Sequence, residues 1–162
     1  MEINLQQMTV NDINAAIELI AEAMNREEAD WARTTMEFHF ECLKHDLTDG
    51  RNYYVWKEGD KVLGLAGLHN YIWGPVENVW LAWFAVAPAY QGEGYGGRMF
   101  TEIEKIAINC GYKKFFVETY DSPDFDKARS FYQAKGFVRA GEVKNYLPDG
   151  SSMIVYEKRL IE

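Results

Sequence analysis

The sequence predicts an α+β domain in which a mixed β-sheet is flanked by helices, in the order β-α-α-β-β-β-α-β-α-β-β. Three observations carry this. Apolar residues recur at helical spacing in some segments and in short strand-like runs in the others. Residues 79–119 run strand, glycine-rich turn, helix, strand, which is a right-handed crossover between two parallel strands. Hairpin signals stand on both sides of that crossover, at Glu58-Gly59-Asp60 and at Pro148-Asp149-Gly150-Ser151, so antiparallel strands complete the sheet. A length of 162 residues suits one domain over residues 1–162 with a sizeable core.

Residues 3–9 alternate and predict a short strand. Thr9 or Asn11 can cap the helix that follows, whose apolar stripe is Ile13, Ala16, Ile17, Ile20 and Ala21. Residues 25–30 are a polar, acidic break. A second helix over residues 31–47 has Met36, Phe40, Leu43 and Leu47 as its buried face. His39, Cys42 and His45 also lie on it, but residues six apart on a helix point roughly 120° apart. They cannot share one tetrahedral ion, and no metal is expected. After the Asp49-Gly50 turn come strands over residues 52–57 and 62–71. Gly64 and Gly67 in the second predict a close backbone approach or a bulge.

Trp73-Gly74-Pro75 breaks that run before residues 79–86, an apolar stretch rich in aromatic and β-branched residues that predicts a buried strand. Met99, Phe100, Ile103, Ile106, Ala107 and Cys110 then share one face of an amphipathic helix, which Gly111 ends. Residues 114–119 are a strand and residues 120–125 a loop containing Pro123. Residues 126–135 are a helix closed by Gly136, and residues 137–146 and 153–159 form a last hairpin.

Apolar content of 48% and aromatic content of 15% require a packed globule. A net charge of −8 disfavours nucleic-acid binding, which needs a basic face. The longest apolar stretch, residues 81–90, is about half of what spans a bilayer, so no membrane role is expected. The opening Met-Glu-Ile-Asn has no basic region and no apolar core, and Cys42 and Cys110 are expected as free buried thiols. Both point to a cytoplasmic protein. The acidity serves solubility, or else draws in a cationic ligand. Arg98, Lys105, Lys127 and Arg129, in the two helices after residue 90, can offset it for an anion.

Gly92, Gly94, Gly96 and Gly97 sit between the strand and the long helix. A helix N-terminus preceded by glycines presents free N–H groups and a positive dipole end, which suits a phosphate or pyrophosphate. Gly92, Gly94 and Gly97, with Glu118 about 20 residues on, satisfy the dinucleotide pattern G-x-G-x-x-G. That pattern wants its first glycine at the strand end, whereas Ala87, Pro88, Ala89, Tyr90 and Gln91 intervene. The alternative is Gln-x-x-Gly-x-Gly at Gln91, Gly94 and Gly96, with Val-x-Pro upstream at Val86 and Pro88.

In that spelling the stretch closely resembles the acyl-CoA loop of the GNAT family of N-acetyltransferases. Ala128-Arg129-Ser130-Phe131-Tyr132-Gln133-Ala134-Lys135-Gly136-Phe137 resembles the family's second signature, A-x-x-F-Y-x-x-x-G-F. The resemblance spans residues 79–137 by motif and nearly the whole chain by element order. It implies a GNAT-like fold, acetyl-CoA as co-substrate and transfer of acetyl to a primary amine by direct attack.

Carried over residue by residue, it sets the pantetheine arm beside Phe84, Ala85 and Val86, with the N–H of Phe84 or Ala85 meeting the thioester oxygen. The pyrophosphate falls on Gln91, Gly92, Glu93, Gly94, Tyr95, Gly96 and Gly97. Tyr132 matches the general acid for the leaving thiolate; taken alone, it would be a packing residue. The family often has an asparagine where this chain has Phe125, so that contact with the CoA arm is lost or moved. Glu118 and Thr119 end the strand parallel to the central one, where a polar side chain can face the acceptor; Glu118 is a candidate base, beside a solvent-facing strand-end charge or a water chain.

Glu27, Glu28, Trp31 and Tyr146 are expected to border the acceptor pocket. The expected acceptor is a small-molecule amine or a lysine or N-terminal peptide, and the expected assembly a monomer or homodimer. Two further readings stay open: a non-catalytic acyl-CoA-binding sensor of the same fold and a nucleotide-binding oxidoreductase.

Overall fold

In a computed structural model describing residues 1–161, one seven-stranded sheet has the order β1-β2-β3-β4-β5-β7-β6. The strands are β1 (Leu5–Gln7), β2 (Arg51–Glu58), β3 (Lys61–His69), β4 (Asn78–Val86), β5 (Lys114–Tyr120), β6 (Val138–Val143) and β7 (Met153–Arg159). The helices are α1 (Ile13–Ala23), α2 (Arg26–Lys44), α3 (Tyr95–Asn109) and α4 (Asp126–Ala134). This is the expected element order. Pairing is antiparallel between all sheet neighbours except β4 and β5, the two strands joined through α3. A dinucleotide fold needs a run of parallel strands. The mixed sheet therefore speaks against the oxidoreductase reading.

The helices divide between the two faces. Ala16, Ile17 and Ile20 of α1 and Ala29, Ala32 and Met36 of α2 pack with Tyr53, Val55 and Leu65. On the other face Phe100, Ile103 and Ala107 of α3 meet Phe115, Val117, Ile154 and Tyr156, with Phe131 and Tyr132 of α4 beside them. Phe100 is fully buried at the centre of that cluster, and burying a side chain of this size stabilises by about 1.5–3 kcal/mol.

Several details differ from the sequence expectation. The polar stretch at residues 25–30 is no break: α2 begins at Arg26, because the Asn25 side chain caps it by accepting the Glu28 N–H at 2.8 Å. Glu27 and Glu28 then sit in the first turn, where the helix dipole favours them. Leu43 and Leu47 are exposed, at 48% and 62%. Helix α2 ends at Lys44, and none of its residues after His39 is buried, so its last turn lies outside the core. Thr9 forms a capping box with Asp12 around a 3-10 turn at Val10–Asp12 rather than capping α1 itself. Cys110 is exposed and Cys42 half-buried; both thiols are free. Gly64 and Gly67 do mark close approaches, and the β3–β4 register shifts between Ala66 and Leu68.

Candidate functional site

The site begins where β4 and β5 part. Their parallel pairing is confined to Asn78, Val79 and Trp80 against Lys114, Phe115 and Phe116. Beyond Trp80, β4 runs on to Val86 held only by β3, and β5 runs on to Tyr120 held only by β7. The end of β4 therefore has an edge free for hydrogen bonding.

Past that edge the chain makes a 3-10 turn at Pro88–Tyr90 and enters the glycine loop. Gly92 and Gly94 have φ of 79° and 84°, and Gly94 is the residue before the first turn of α3. Both values lie in the left-handed region that glycine adopts without penalty. A Cβ at either would meet nothing within 4 Å, so the surface above them is open. The Gln91 side chain donates to the Val86 carbonyl at 2.8 Å, tying the loop to the strand end. Together they wall a cavity of about 330 Å³. Phe84, Ala85 and Val86 form one side, Gln91, Gly92, Gly94, Gly96 and Gly97 the other. Ala23, Met24 and Phe131 complete it.

Not every predicted residue joins that wall. Tyr95 turns away and stacks on Trp56 with ring centroids 5.3 Å apart, and Glu93 is exposed. Tyr132 follows Phe131 on α4 and packs edge-on against Phe131 at 5.6 Å and Phe137 at 6.0 Å. Burial pushes its hydroxyl well above the ordinary phenol range, so it stays protonated. Arg129 donates to the carbonyls of Tyr120 and Ser122 and pairs with Asp126, so it holds the loop instead of facing an anion. Phe125 meets Tyr120 edge-on at 5.1 Å.

Glu118 faces away from Val117 and Thr119, with Phe116 and Tyr120 on its side of the strand. It is exposed, yet partial burial raises its carboxyl above the usual range. Glu28 is raised as well, first by burial and then by the charges of Glu27 and Glu118, so α2 and β5 bring carboxylates near one another. Burial, followed by the charges of Glu118 and Glu28, pushes the Tyr120 hydroxyl up to about 12. Tyr146 stacks on Tyr120 at 6.2 Å. Glu28 is thus a neighbour of Glu118, and Tyr146 reaches the same end of β5 through Tyr120. Trp31 is exposed on α2. The described residues hold no group of three or more side chains spaced to bind a metal.

Sequence reasoning missed two participants, Lys135 and Trp83, and pointed to a third, Thr119, only as a polar residue at the end of the strand. Lys135 bonds the Gly97 carbonyl at 2.7 Å, placing a cation beside the loop. Thr119 is buried with no hydrogen-bond partner for its hydroxyl among the described residues. Trp83 has φ of 59° and donates its indole N–H to Thr35 at 3.1 Å. For Lys135, its place inside the second motif was the available signal; for Thr119 it was the strand end beside Glu118; Trp83 had none.

A family model described as "Acetyltransferase (GNAT) family" matches residues 15–137. An amino-acid acetyltransferase of Ralstonia nicotianae is 29% identical over 137 residues, which make up 84% of this chain and 26% of that protein. The chain thus spans about a quarter of that curated relative. A solved structure of a GNAT-family protein from Desulfovibrio desulfuricans superposes with a TM-score of 0.86 at 21% identity, over 99% of this chain and 100% of the other. An aminoglycoside 6'-N-acetyltransferase complexed with coenzyme A gives 0.77 at 16% identity, over 99% and 98%.

Proposed function

We propose, from the premise that this chain belongs to the GNAT acetyltransferase family, that it moves an acetyl group from acetyl-CoA to a primary amine by direct attack. The observation that carries this reading is the parting of β4 from β5 beside a glycine-built helix N-terminus, with one cavity joining the two. An acyl-CoA fits both parts. Its pyrophosphate takes the N–H groups of the loop, from Gln91 through Glu93 and Tyr95 to Gly97, and its pantetheine arm lies along Phe84, Ala85 and Val86 as an added strand. The coenzyme A bound to the structurally similar aminoglycoside acetyltransferase supports the same assignment.

In the reaction, the amine nitrogen attacks the acetyl carbon and the carbonyl oxygen gathers negative charge. The N–H of Phe84 or Ala85 meets that charge. As the C–S bond breaks, the Tyr132 hydroxyl gives its proton to the departing thiolate. The attacking ammonium first loses a proton to Glu118, or to water that Glu118 orders. A carboxyl raised by burial is a better base than a free one. A covalent acyl-enzyme has no support: Cys110 stands past the far end of the 15-residue α3, roughly 20 Å from the loop by the helical rise.

The acceptor carries a second positive charge. Glu27, Glu28 and Glu118 have no ion-pair partner among the described residues, and an ammonium beside them relieves their mutual repulsion. Small polyamines, basic amino acids and lysine-bearing or N-terminal peptides fit this chemistry.

The test is ligand-dependent stability. Acetyl-CoA at a hundred times its Kd should add about 2.7 kcal/mol, or roughly 5–10 °C in Tm, while NAD and NADP should add nothing. Gly94→Val should abolish the shift, because its φ of 84° disfavours a branched residue and the new methyls fill the open space above the loop. Stabilisation by a nicotinamide nucleotide alone would sink the reading.

A further inference from the structure

The β3–β4 register changes in the middle of the site. Ala66 pairs with Phe84 and Leu68 with Leu81, so Gly67 alone stands opposite both Ala82 and Trp83. This is a β-bulge, and it reverses the alternation of the strand. Val79 and Leu81 face the α3 and α4 side, and after the bulge so does Phe84, while Ala85 joins the α1 and α2 core. Successive backbone N–H groups of a strand point to opposite edges. The bulge therefore decides which amide near residue 84 faces the free edge beside β5.

Holding the bulge takes two things. Trp83 has φ of 59°, which is strained for a bulky residue and persists only where the surroundings impose it. Its indole N–H is fixed on α2 by the Thr35 hydroxyl at 3.1 Å, and that hydroxyl itself donates to the Ala32 carbonyl at 2.9 Å. With its own proton committed to the helix, Thr35 offers Trp83 a lone pair. On the opposite strand, a Cβ at position 67 would overlap the Ala82 carbonyl oxygen and come within 2.9 Å of the Tyr53 ring. Only glycine leaves that carbonyl its place.

We propose that Thr35 and Gly67 are positioning residues that hold the bulge at Ala82 and Trp83 and so set which of the Phe84 and Ala85 amides faces the reacting thioester. The proposal rests on the reading that one of these amides meets the thioester oxygen. Thr35 touches neither co-substrate in that reading and acts only through Trp83.

Thr35→Val keeps the shape of the side chain and removes the acceptor; Thr35→Ser keeps the hydroxyl. The two variants and wild type are compared by kcat and KM for acetyl-CoA with an amine, and by ¹⁵N amide resonances of Phe84 and Ala85 with coenzyme A bound. Thr35→Val should lower kcat by roughly tenfold, within the range of about 10² that a small misplacement produces, with KM for acetyl-CoA unchanged. It should also move the Trp83 indole and both amide resonances, and Thr35→Ser should restore rate and resonances together. Unmoved amides, an unchanged kcat, or a loss that serine does not rescue would overturn the proposal. If wild type turns over no amine, the acetyl-transfer reading fails by itself, and the amide resonances alone decide whether Thr35 positions the strand.

Discussion

Two acidic residues on opposite sides of β4 respond to burial in opposite ways. On the β2 side, burial pushes the Asp49 carboxyl up, but the hydrogen bond from His39 at 2.8 Å and those from the Arg51 backbone and guanidinium outweigh it, and the carboxyl ends below its usual range. Asp12 behaves alike, with Lys57 at 2.7 Å. On the β5 side, burial of Glu118 meets no such answer, and its carboxyl stays raised. Thr119 next to it has an unanswered hydroxyl, and burial raises Tyr132 unopposed. Polar groups that the chain itself satisfies hold the fold together. Under the proposed function, the unsatisfied groups at the parting of β4 and β5 are the ones a ligand would answer.

The comparison predicts a double dissociation. Its largest expected effect is Tyr132→Phe, which keeps the ring among Phe100, Phe131 and Phe137 and loses a hydroxyl that makes no hydrogen bond among the described residues. Turnover should fall by roughly tenfold or more, up to about 10²–10⁴, with Tm unmoved. An unchanged rate would return Tyr132 to packing alone. The smaller effect belongs to Asp49→Asn, which should leave kcat intact and lower stability by about 2 kcal/mol, or roughly 4–8 °C.

The sign with pH follows from the lowered carboxyl. Its stabilisation is complete above about pH 4 and drains as the pH falls through the lower folded value. Urea denaturation of wild type should therefore weaken below about pH 4, and Asp49→Asn should show less of that loss, the remainder belonging to groups such as Asp12. A variant as acid-sensitive as wild type would show that Asp49 is not held this way.

How much of this was legible in the sequence depended on the range of the forces involved. The element order, the glycine loop and the closing glycines rest on local periodicity and backbone freedom, which single segments display. The close approaches at Gly64 and Gly67 were legible as approaches, since glycine inside a strand means little else. The start of α2 was not: residues 25–30 have the composition of a loop, yet Asn25 and the two glutamates after Arg26 are the chemistry of a helix N-terminus. Leu43 keeps the helical spacing of a buried residue but is exposed, and spacing carries no information on what lies opposite. The bond from Trp83 to Thr35 joins residues 48 apart, and that from Lys135 to Gly97 residues 38 apart. Such contacts exist only after the fold has formed.

Acetyl transfer itself is tested most directly by measuring free thiol released from acetyl-CoA across a panel of neutral monoamines, diamines, polyamines and lysine peptides at low and physiological ionic strength. The account predicts amine-dependent thiol release matched by acetylated product. It should be fastest for acceptors with a second positive charge, and kcat/KM for those should fall as salt screens the carboxylates around Glu28 and Glu118. A best acceptor that is neutral or anionic would remove the cationic part. Stable binding of acetyl-CoA with no thiol released by any amine would contradict the central claim and leave a protein that binds the thioester without spending it.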